Sequence, residues 1–275
     1  MRGEAFAKQI SQGFMRVIID VAMDYAVTQA DPPVLALTAA EVAGQSVRES
    51  RLDIENAALR RAEGEGGIGE RIWAFLQGTQ LSLRYRATVD VERRACVLNS
   101  LGAEPVHALP DDVFTFVRPS RYCPSDLLAA FAEREFGHLQ GGEKIAAMAH
   151  WIAGALTYSP ASSGPATTAV DTFVSREGVC RDYAHLMCGL ARAASVPARY
   201  TSGYSAGVVP PDFHAVAEIW LDGAWHLVDP TGMSSPTDFV VIGSGRDAGD
   251  VPFMETEKPA FLIRQNVAVT NDIPV

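Results

Sequence analysis

The most informative part of the sequence is a predicted helix that begins after a glycine-marked turn, because apolar residues follow the turn at helical spacing. It reads Gly178-Val179-Cys180-Arg181-Asp182-Tyr183-Ala184-His185-Leu186-Met187-Cys188-Gly189-Leu190. The apolar face of this predicted helix consists of Tyr183, Leu186, Met187, Leu190 and Ala194. Cys180 therefore lies at or near the helix N-terminus. The unpaired backbone N–H groups and the positive end of the helix dipole favour a thiolate there, and the thiolate is the nucleophilic form of cysteine.

A predicted hairpin follows further along the chain. Residues 214–221 alternate as a strand, Asp222-Gly223 is the commonest kind of two-residue hairpin turn, and residues 224–230 form the returning strand. A two-residue loop sets the register so that Val216 lies opposite Asp229. The sequence therefore predicts the partner of every residue in the hairpin.

This register selects which histidine can meet the aspartate. Side chains alternate along a strand, so His214 shares the face of Val216 and of Asp229. The diagonal between His214 and Asp229 is roughly 7 to 8 Å between backbones, within reach of a hydrogen bond between the side chains. His226 points to the opposite face. A three-residue loop would reverse this prediction unless a bulge restored it.

The thiol, the imidazole and the carboxylate have complementary chemistry. Cysteine can form a covalent acyl intermediate, a neutral imidazole can take its proton and return one to a leaving amine, and a carboxylate can fix the tautomer of the imidazole. We therefore predict that Cys180, His214 and Asp229 are catalytic residues that attack an amide or an ester.

Several ordered motifs carry a resemblance to a known family: Gly-Val-Cys-Arg-Asp-Tyr-Ala-His at 178–185, Val-Pro-Ala-Arg-Tyr-Thr-Ser-Gly-Tyr at 196–204, Phe-His-Ala at 213–215, the run 225–231 and Gly-Arg-Asp-Ala-Gly-Asp-Val at 245–251. Over about residues 125–255 the chain resembles the transglutaminase-like superfamily, in its bacterial branch of candidate cysteine proteases. The resemblance implies a papain-like α+β core with Cys180, His214 and Asp229 as the triad. It implies no cofactor.

Two positions depart from the pattern of that family. Members usually carry a tryptophan two residues after the catalytic histidine, and this chain has Val216 there. We therefore expect the wall of the active-site channel to be reshaped. The sequence also shows no side-chain donor for an oxyanion hole upstream of Cys180, so the backbone N–H of Cys180 is the one donor that can be assigned.

Composition limits the functions that the chain can have. It has 275 residues, 48% of them hydrophobic, and a formal net charge of −10. This charge argues against a nucleic-acid-binding surface and provides no basic patch for anionic lipid. Residues 1–12 contain Glu4, and Asp20 and Asp24 interrupt the apolar stretch that follows, so we predict neither a secretory signal nor a membrane-spanning helix. We expect a cytoplasmic protein.

The four cysteines form no C-x-x-C pair, which argues against a zinc knuckle and against a disulfide framework: Cys96, Cys123, Cys180 and Cys188. His107, His138 and His150 have no acidic or cysteine partners at ligand spacing, so we predict no metal site. Cys188 is predicted to be a core residue. Asp182 is predicted to favour the helix dipole in the first turn, with His185 hydrogen-bonded beside it rather than active in the chemistry.

The chain divides into two kinds of sequence. Residues 14–97 contain strand patterns at Met15 to Val27, Val47 to Glu55, Arg71 to Leu76 and Leu81 to Val91, which predict an antiparallel β-sandwich-like domain. The proline-containing residues 98–124 are predicted to be a linker. Residues 125–275 are predicted to be the catalytic domain, with helices at Ser125 to Phe136 and Gly142 to Leu156, and with the Cys180 helix packed on an antiparallel sheet.

The leading hypothesis is hydrolysis of a peptide or side-chain amide through a thioester acyl-enzyme, with a peptide or protein as the substrate. Water is the default acceptor, and nothing in the sequence identifies a site for an amine. Two alternatives stay open at this stage. One is crosslinking by transamidation of protein glutamine, and the other is a non-catalytic binding or scaffold protein that retains the fold.

Overall fold

The computed structural model describes residues 14–28 and 31–272. The strands in these ranges are β1 (Met15–Ala26), β2 (Val34–Leu35), β3 (Gln45–Ile54), β4 (Ala57–Glu63), β5 (Glu70–Leu76), β6 (Gln80–Val91), β7 (Thr157–Tyr158), β8 (Glu177–Gly178), β9 (Ala198–Tyr204), β10 (His214–Leu221), β11 (Ala224–Val228), β12 (Val240–Gly245), β13 (Met254–Glu255) and β14 (Phe261–Asp272). The α-helices are α1 (Asp111–Phe114), α2 (Ala129–Phe136), α3 (Gly141–Ala155), α4 (Ala169–Ser175) and α5 (Cys180–Ala193).

Two antiparallel sheets form the N-terminal part, in the strand orders β14-β1-β6-β3 and β13-β2-β5-β4. Their inner faces share one apolar core because side chains alternate along each strand: Val17, Ile19, Val21 and Met23 of β1 are each at most 1% exposed. The predicted sandwich-like architecture is confirmed. The four strand patterns of the sequence lie within two residues of β1, β3, β5 and β6.

The last two strands complete these N-terminal sheets. β14 pairs with β1 from Asp272 opposite Arg16 to Phe261 opposite Ala26, and β13 pairs with β2. These pairings join the two ends of the described chain, and a hydrophobic pattern does not specify such distant partners. The predicted domain boundaries at residues 97 and 125 stay a prediction. Strands β13 and β14, within residues 254–272, pair with the N-terminal sheets.

The second part of the fold is a helical layer on an antiparallel sheet of order β11-β10-β9-β12. Helix α5 lies across this sheet, and Leu186 and Leu190 share an apolar core with Ala217 and Ile219 of β10. Every residue of α5 from Asp182 to Arg192 is buried, since the other helices cover its outer side. The predicted α+β class, with the Cys180 helix packed on an antiparallel sheet, is confirmed.

Some elements differ from the sequence prediction. The helix predicted at Ser125 to Phe136 starts with a 3-10 turn, and the helix predicted at Gly142 to Leu156 is α3. Helix α4 was not predicted, although Thr168 opens it with a capping box: its Oγ1 accepts from Asp171 N at 3.3 Å, and its own N–H donates to Asp171 Oδ2 at 2.9 Å.

The prediction about the first 12 residues lies outside the described residues. Within residues 14–28 and 31–272, none of the helices combines the length and the apolar character that crossing a lipid bilayer requires.

Candidate active site

Cys180 is the first residue of α5 and is half-buried. The helix start is fixed by Asp182, whose Oδ2 accepts from Val179 N at 2.9 Å, while Asp182 N donates to Val179 O at the same distance. Asp182 is fully buried, so its carboxylate acts on the backbone of the first turn. The structure thus places Cys180 where the sequence predicts it, with the free N–H groups of the first turn beside the thiol.

The hairpin has the register that the sequence predicts. Leu221 lies opposite Ala224, and the ladder runs to Ala217 opposite Val228, so the next position places Val216 opposite Asp229. The turn residues have φ values of 47° at Asp222 and 74° at Gly223, as a two-residue turn with two left-handed positions requires. No bulge interrupts this ladder, so His214 and Asp229 lie on the same face of the hairpin as predicted.

His214 and Asp229 meet as predicted. Nε2 of His214 lies 2.8 Å from Oδ2 of Asp229, and both side chains are almost completely buried. Thr231 donates to Asp229 Oδ1 from its backbone N at 2.9 Å and from its hydroxyl at 2.7 Å. Ser234 donates to Oδ2 from the corresponding atoms at 2.9 and 2.7 Å.

These contacts keep the carboxylate of Asp229 ionised. Burial alone would raise the pKa of Asp229, but the contact with His214 and the donors on Thr231 and Ser234 together lower it. An ionised carboxylate only accepts hydrogen bonds, so Nε2 of His214 carries the hydrogen and Nδ1 faces the other way. Thr231 and Ser234 were not predicted, although they follow Asp229 directly in the turn after the strand.

Cys180 completes the group on the other side of the imidazole. Nδ1 of His214 is buried and makes no well-aligned hydrogen bond within the described residues. Burial alone would lower the pKa of His214, but the contacts with Asp229 and with the Cys180 side chain outweigh it and raise the pKa to about 9. The structure therefore brings all three predicted residues together, with the imidazole between the carboxylate and the thiol.

Tyr158 is a further residue at this site, and the sequence analysis missed it. β7 and β8 form a parallel pair in which Tyr158 lies opposite Gly178, two residues before Cys180. The Tyr158 ring packs against the Tyr183 ring at a centroid distance of 5.9 Å. Burial raises the pKa of Tyr158 to about 12, and the charge of Cys180 adds to this increase, so the Tyr158 hydroxyl lies near Cys180.

No local sequence pattern predicts the position of Tyr158. It reaches the site through a ladder of only two residue pairs, which joins β7 to β8 across the intervening residues 159–176. Hydrogen bonds hold this segment beside Cys180. Arg181 donates to Ser163 Oγ at 3.1 Å and to the carbonyl of Gly164, and the hydroxyl of Tyr122 donates to Pro165 O at 2.9 Å.

The reshaped channel wall expected from Val216 stays a prediction. Its side chain is 1% exposed and packs with Ala40, Phe239 and Val241 between the sheet and the N-terminal part. The ring of Phe239 lies 6.3 Å from the His214 ring and is itself 1% exposed. Aromatic bulk on this side of His214 thus comes from a residue that is distant in sequence.

The remaining cysteines lie apart from this group. Cys123 and Cys188 are fully buried in the core around α5. Cys96 is exposed, and its Sγ lies 3.4 Å from Nδ1 of His226, on the opposite face of the hairpin from His214. Cys96 therefore has a histidine neighbour but no buried carboxylate of the kind that Asp229 provides to His214.

Comparison with known proteins agrees with this geometry. Residues 130–230 match the family model described as the transglutaminase-like superfamily. The crystal structure of a "putative cysteine protease" from Cytophaga hutchinsonii is 31% identical to this chain, with 95% of this chain and 92% of that chain covered and a TM-score of 0.87. The chain belongs to the transglutaminase-like superfamily. The long coverage includes the N-terminal sheets as well as the region of the family model.

Two further relatives match shorter segments of this chain. An uncharacterized protein of Mycobacterium leprae is 30% identical over 145 residues, which cover 49% of this chain and 52% of that protein. A protein-glutamine gamma-glutamyltransferase of Pseudomonas aeruginosa is 36% identical over 95 residues, which cover 30% of this chain and 14% of that protein. The chain thus spans about half the length of the first and a small part of the second.

Proposed function

We propose that this protein is a cysteine-dependent acyl-transfer enzyme that hydrolyses a peptide or side-chain amide through a thioester. One observation carries the proposal: the His214 imidazole donates from Nε2 to Asp229 and presents Nδ1 on the side of Cys180. An imidazole oriented by a buried carboxylate and placed beside a thiol at a helix N-terminus is an arrangement for nucleophilic catalysis.

In the first half of the reaction, the Cys180 proton passes to Nδ1 of His214, and Sγ attacks the carbonyl carbon of the amide. The new C–S bond forms as the carbonyl π electrons move onto oxygen. When the tetrahedral intermediate collapses, the C–N bond breaks, and the proton on Nδ1 goes to the departing amine. Asp229 holds the Nε2 hydrogen throughout and stabilises the cationic imidazolium.

In the second half, water attacks the thioester carbonyl while Nδ1 of His214 takes one of its protons. The C–S bond then breaks, the carboxylic acid leaves, and the proton returns to the sulfur of Cys180. The enzyme is thereby restored with no cofactor and no net change in its protonation.

The negative oxygen of each intermediate needs hydrogen-bond donors. The backbone N–H of Cys180 is one, and we propose the hydroxyl of Tyr158 as the second. The position of Tyr158 opposite Gly178, with its hydroxyl near Cys180, supports this assignment, because an oxygen placed beside the Cys180 amide would then be within reach of the hydroxyl. The helix dipole of α5 adds to the same stabilisation.

Transamidation is the second candidate. The relative from Pseudomonas aeruginosa that is called a protein-glutamine gamma-glutamyltransferase favours it over 95 residues of alignment. A glutamine-containing peptide incubated with and without a primary amine separates the two reactions. Hydrolysis yields the acid in both mixtures, whereas a product that incorporates the amine would make transamidation the activity.

The reactive thiol is tested by labelling with a mild electrophile at neutral pH, followed by peptide mapping. Cys96 is exposed and has a histidine neighbour, so it could also react with the electrophile. The labelling is therefore done on the Cys96→Ser variant, which keeps Cys180 and the two buried thiols. We expect Cys180 to be modified well before Cys123 and Cys188. An unlabelled Cys180 in a folded protein would instead support a binding or scaffold protein that retains the fold.

A further inference from the structure

The carboxylate of Asp212 stands next to the proposed catalytic group. Asp212 lies two residues before His214, in the segment that leads into β10. Its Oδ1 accepts from the backbone N of Phe213 at 2.8 Å and from Nε2 of Gln265 at 2.7 Å. Gln265 belongs to β14, so this carboxylate is held where the catalytic sheet meets an edge strand of the N-terminal sheets.

Asp212 and Cys180 act on the same tyrosine. The pKa of Tyr158 is raised by burial, by the charge of Cys180 and, to a smaller extent, by the charge of Asp212. The charge of Asp212 also raises the pKa of Tyr25 of β1. Together with its position two residues before His214, this places the Asp212 carboxylate near Tyr158 and near the N-terminal sheets.

No cation among the described residues compensates this carboxylate. Within residues 14–28 and 31–272, no Lys, Arg or His nitrogen lies within 4.0 Å of it, and its Oδ2 accepts no hydrogen bond. Arg264, a neighbour in sequence of Gln265, is paired with Asp24 at 2.8 Å instead. Asp212 is exposed, so a ligand can reach it.

We infer that Asp212 recognises a cationic group of the substrate, an ammonium or a guanidinium, close to the amide that Cys180 attacks. The inference rests on the proposed function and names the class of substrate for that site. A carboxylate oxygen without a partner gains a charge-assisted hydrogen bond from such a group. The net charge of −10 attracts cationic substrates over a longer range.

Covalent probes test this inference without requiring turnover. The probes are peptidyl vinyl sulfones made in two matched pairs, and the members of each pair differ only by having lysine or norleucine at one position. In the first pair this position is the residue that carries the vinyl sulfone, and in the second pair it is the residue before it. The rate of Cys180 modification is measured by peptide mapping in the Cys96→Ser protein. We expect the lysine probe of one pair to react about tenfold faster, as a charge-assisted hydrogen bond permits.

Three variants distinguish recognition of charge from a structural role of Asp212. In Asp212→Asn the ratio of lysine to norleucine rates should fall to about one, whereas Asp212→Glu keeps the charge and should keep the preference. Gln265→Ala removes the tether but leaves the carboxylate, so the preference should persist. Thermal unfolding of each variant identifies a loss of fold.

Two results would overturn the inference. Equal rates for lysine and norleucine in both probe pairs would show that no cation is recognised, and an undiminished preference in folded Asp212→Asn would place the recognition elsewhere. Failure of every probe to modify Cys180 is a different result, because it removes the proposed function and this inference together.

Discussion

A cysteine lies near a histidine at two places on helix α5, once at its start and once in its interior. The two places differ in the group that contacts the histidine. At the start, Cys180 lies beside His214, which is bonded to Asp229 at 2.8 Å. In the interior, Cys188 lies near Cys123 and His185, all fully buried. There Nε2 of His185 accepts from Ala248 N at 3.1 Å, so a backbone amide takes the place that a carboxylate has at the start.

Burial alone does not place a charged imidazole beside a thiol in this helix. In the interior, burial raises the pKa of Cys123 well above its usual value and lowers the pKa of His185 well below it, so both groups stay neutral. At the start, the contacts with Asp229 and with the Cys180 side chain outweigh burial and raise the pKa of His214 to about 9. The two places on the helix thus differ in the buried carboxylate, which His214 has and which His185 lacks among the described residues.

The largest expected effect separates the two cysteines of the helix. Cys180→Ala should abolish turnover, because no other group can form the thioester, while Cys188→Ala should keep turnover and lose about 1 kcal/mol of unfolding free energy for the missing core atom. Hydrolysis of a good amide substrate and urea unfolding measure the two quantities. Nearly unchanged hydrolysis by Cys180→Ala would defeat the assignment of the nucleophile.

The two histidines should separate in the same way. His214→Ala should reduce kcat/KM by about 10²- to 10⁴-fold, the usual contribution of general acid–base catalysis. His185→Phe keeps an aromatic ring beside Tyr122 but leaves Ala248 N without its acceptor, at a cost of about 1–3 kcal/mol in stability. Its rate per folded molecule should stay close to that of the original protein. Equal losses of rate in both variants would contradict the distinction.

Tyr158 is compared with Tyr85, a buried tyrosine of the N-terminal core. Tyr158→Phe removes the proposed oxyanion donor and should lower kcat by about 10²-fold with little change in KM. The hydroxyl of Tyr85 accepts from Ala39 N at 2.8 Å, so Tyr85→Phe should reduce stability but leave kcat nearly unchanged. Steady-state kinetics on one substrate checks both. A loss that appears in KM alone would assign Tyr158 to substrate binding.

Asp229→Asn tests the feature that distinguishes the start of the helix. The folded pKa of His214 is raised to about 9, so the imidazolium that protonates the leaving amine is present below that value and is lost as the pH rises through it. Without the carboxylate, the alkaline limb of kcat/KM should move down by about 1–3 pH units. At low pH the loss should be milder than in His214→Ala. A pH profile with an unmoved limb would show that Asp229 does not support the imidazolium.

The smallest effect should come from the residues behind Asp229. Ser234→Ala removes a hydroxyl that donates to Asp229 Oδ2 at 2.7 Å and leaves the backbone donor of the same residue in place. We expect about 1 kcal/mol, seen as a several-fold loss of rate together with a slightly lower alkaline limb. Ser162→Ala is the control, since its hydroxyl bonds only to Ser159 O.

Local patterns were sufficient for much of the site. The start of α5 follows from the glycine before it and the apolar spacing after it, and the meeting of His214 with Asp229 follows from a two-residue turn. Thr231 and Ser234 could have been found by asking which donors the turn after Asp229 supplies. Tyr158 could not, because a short parallel ladder leaves no periodic pattern in the sequence.

Local sequence was enough to predict the position of Cys180 at a helix start, the hairpin and the faces of its strands, since helix spacing, turn geometry and strand alternation act within a few residues of one another. Tertiary structure alone decided the placing of Tyr158 beside Cys180, the burial of Val216 under Phe239, and the return of β14 to β1. Those outcomes depend on which distant surfaces pack together. The hydrophobic effect is non-directional, so it favours burial of apolar surface but does not specify the segment that covers it.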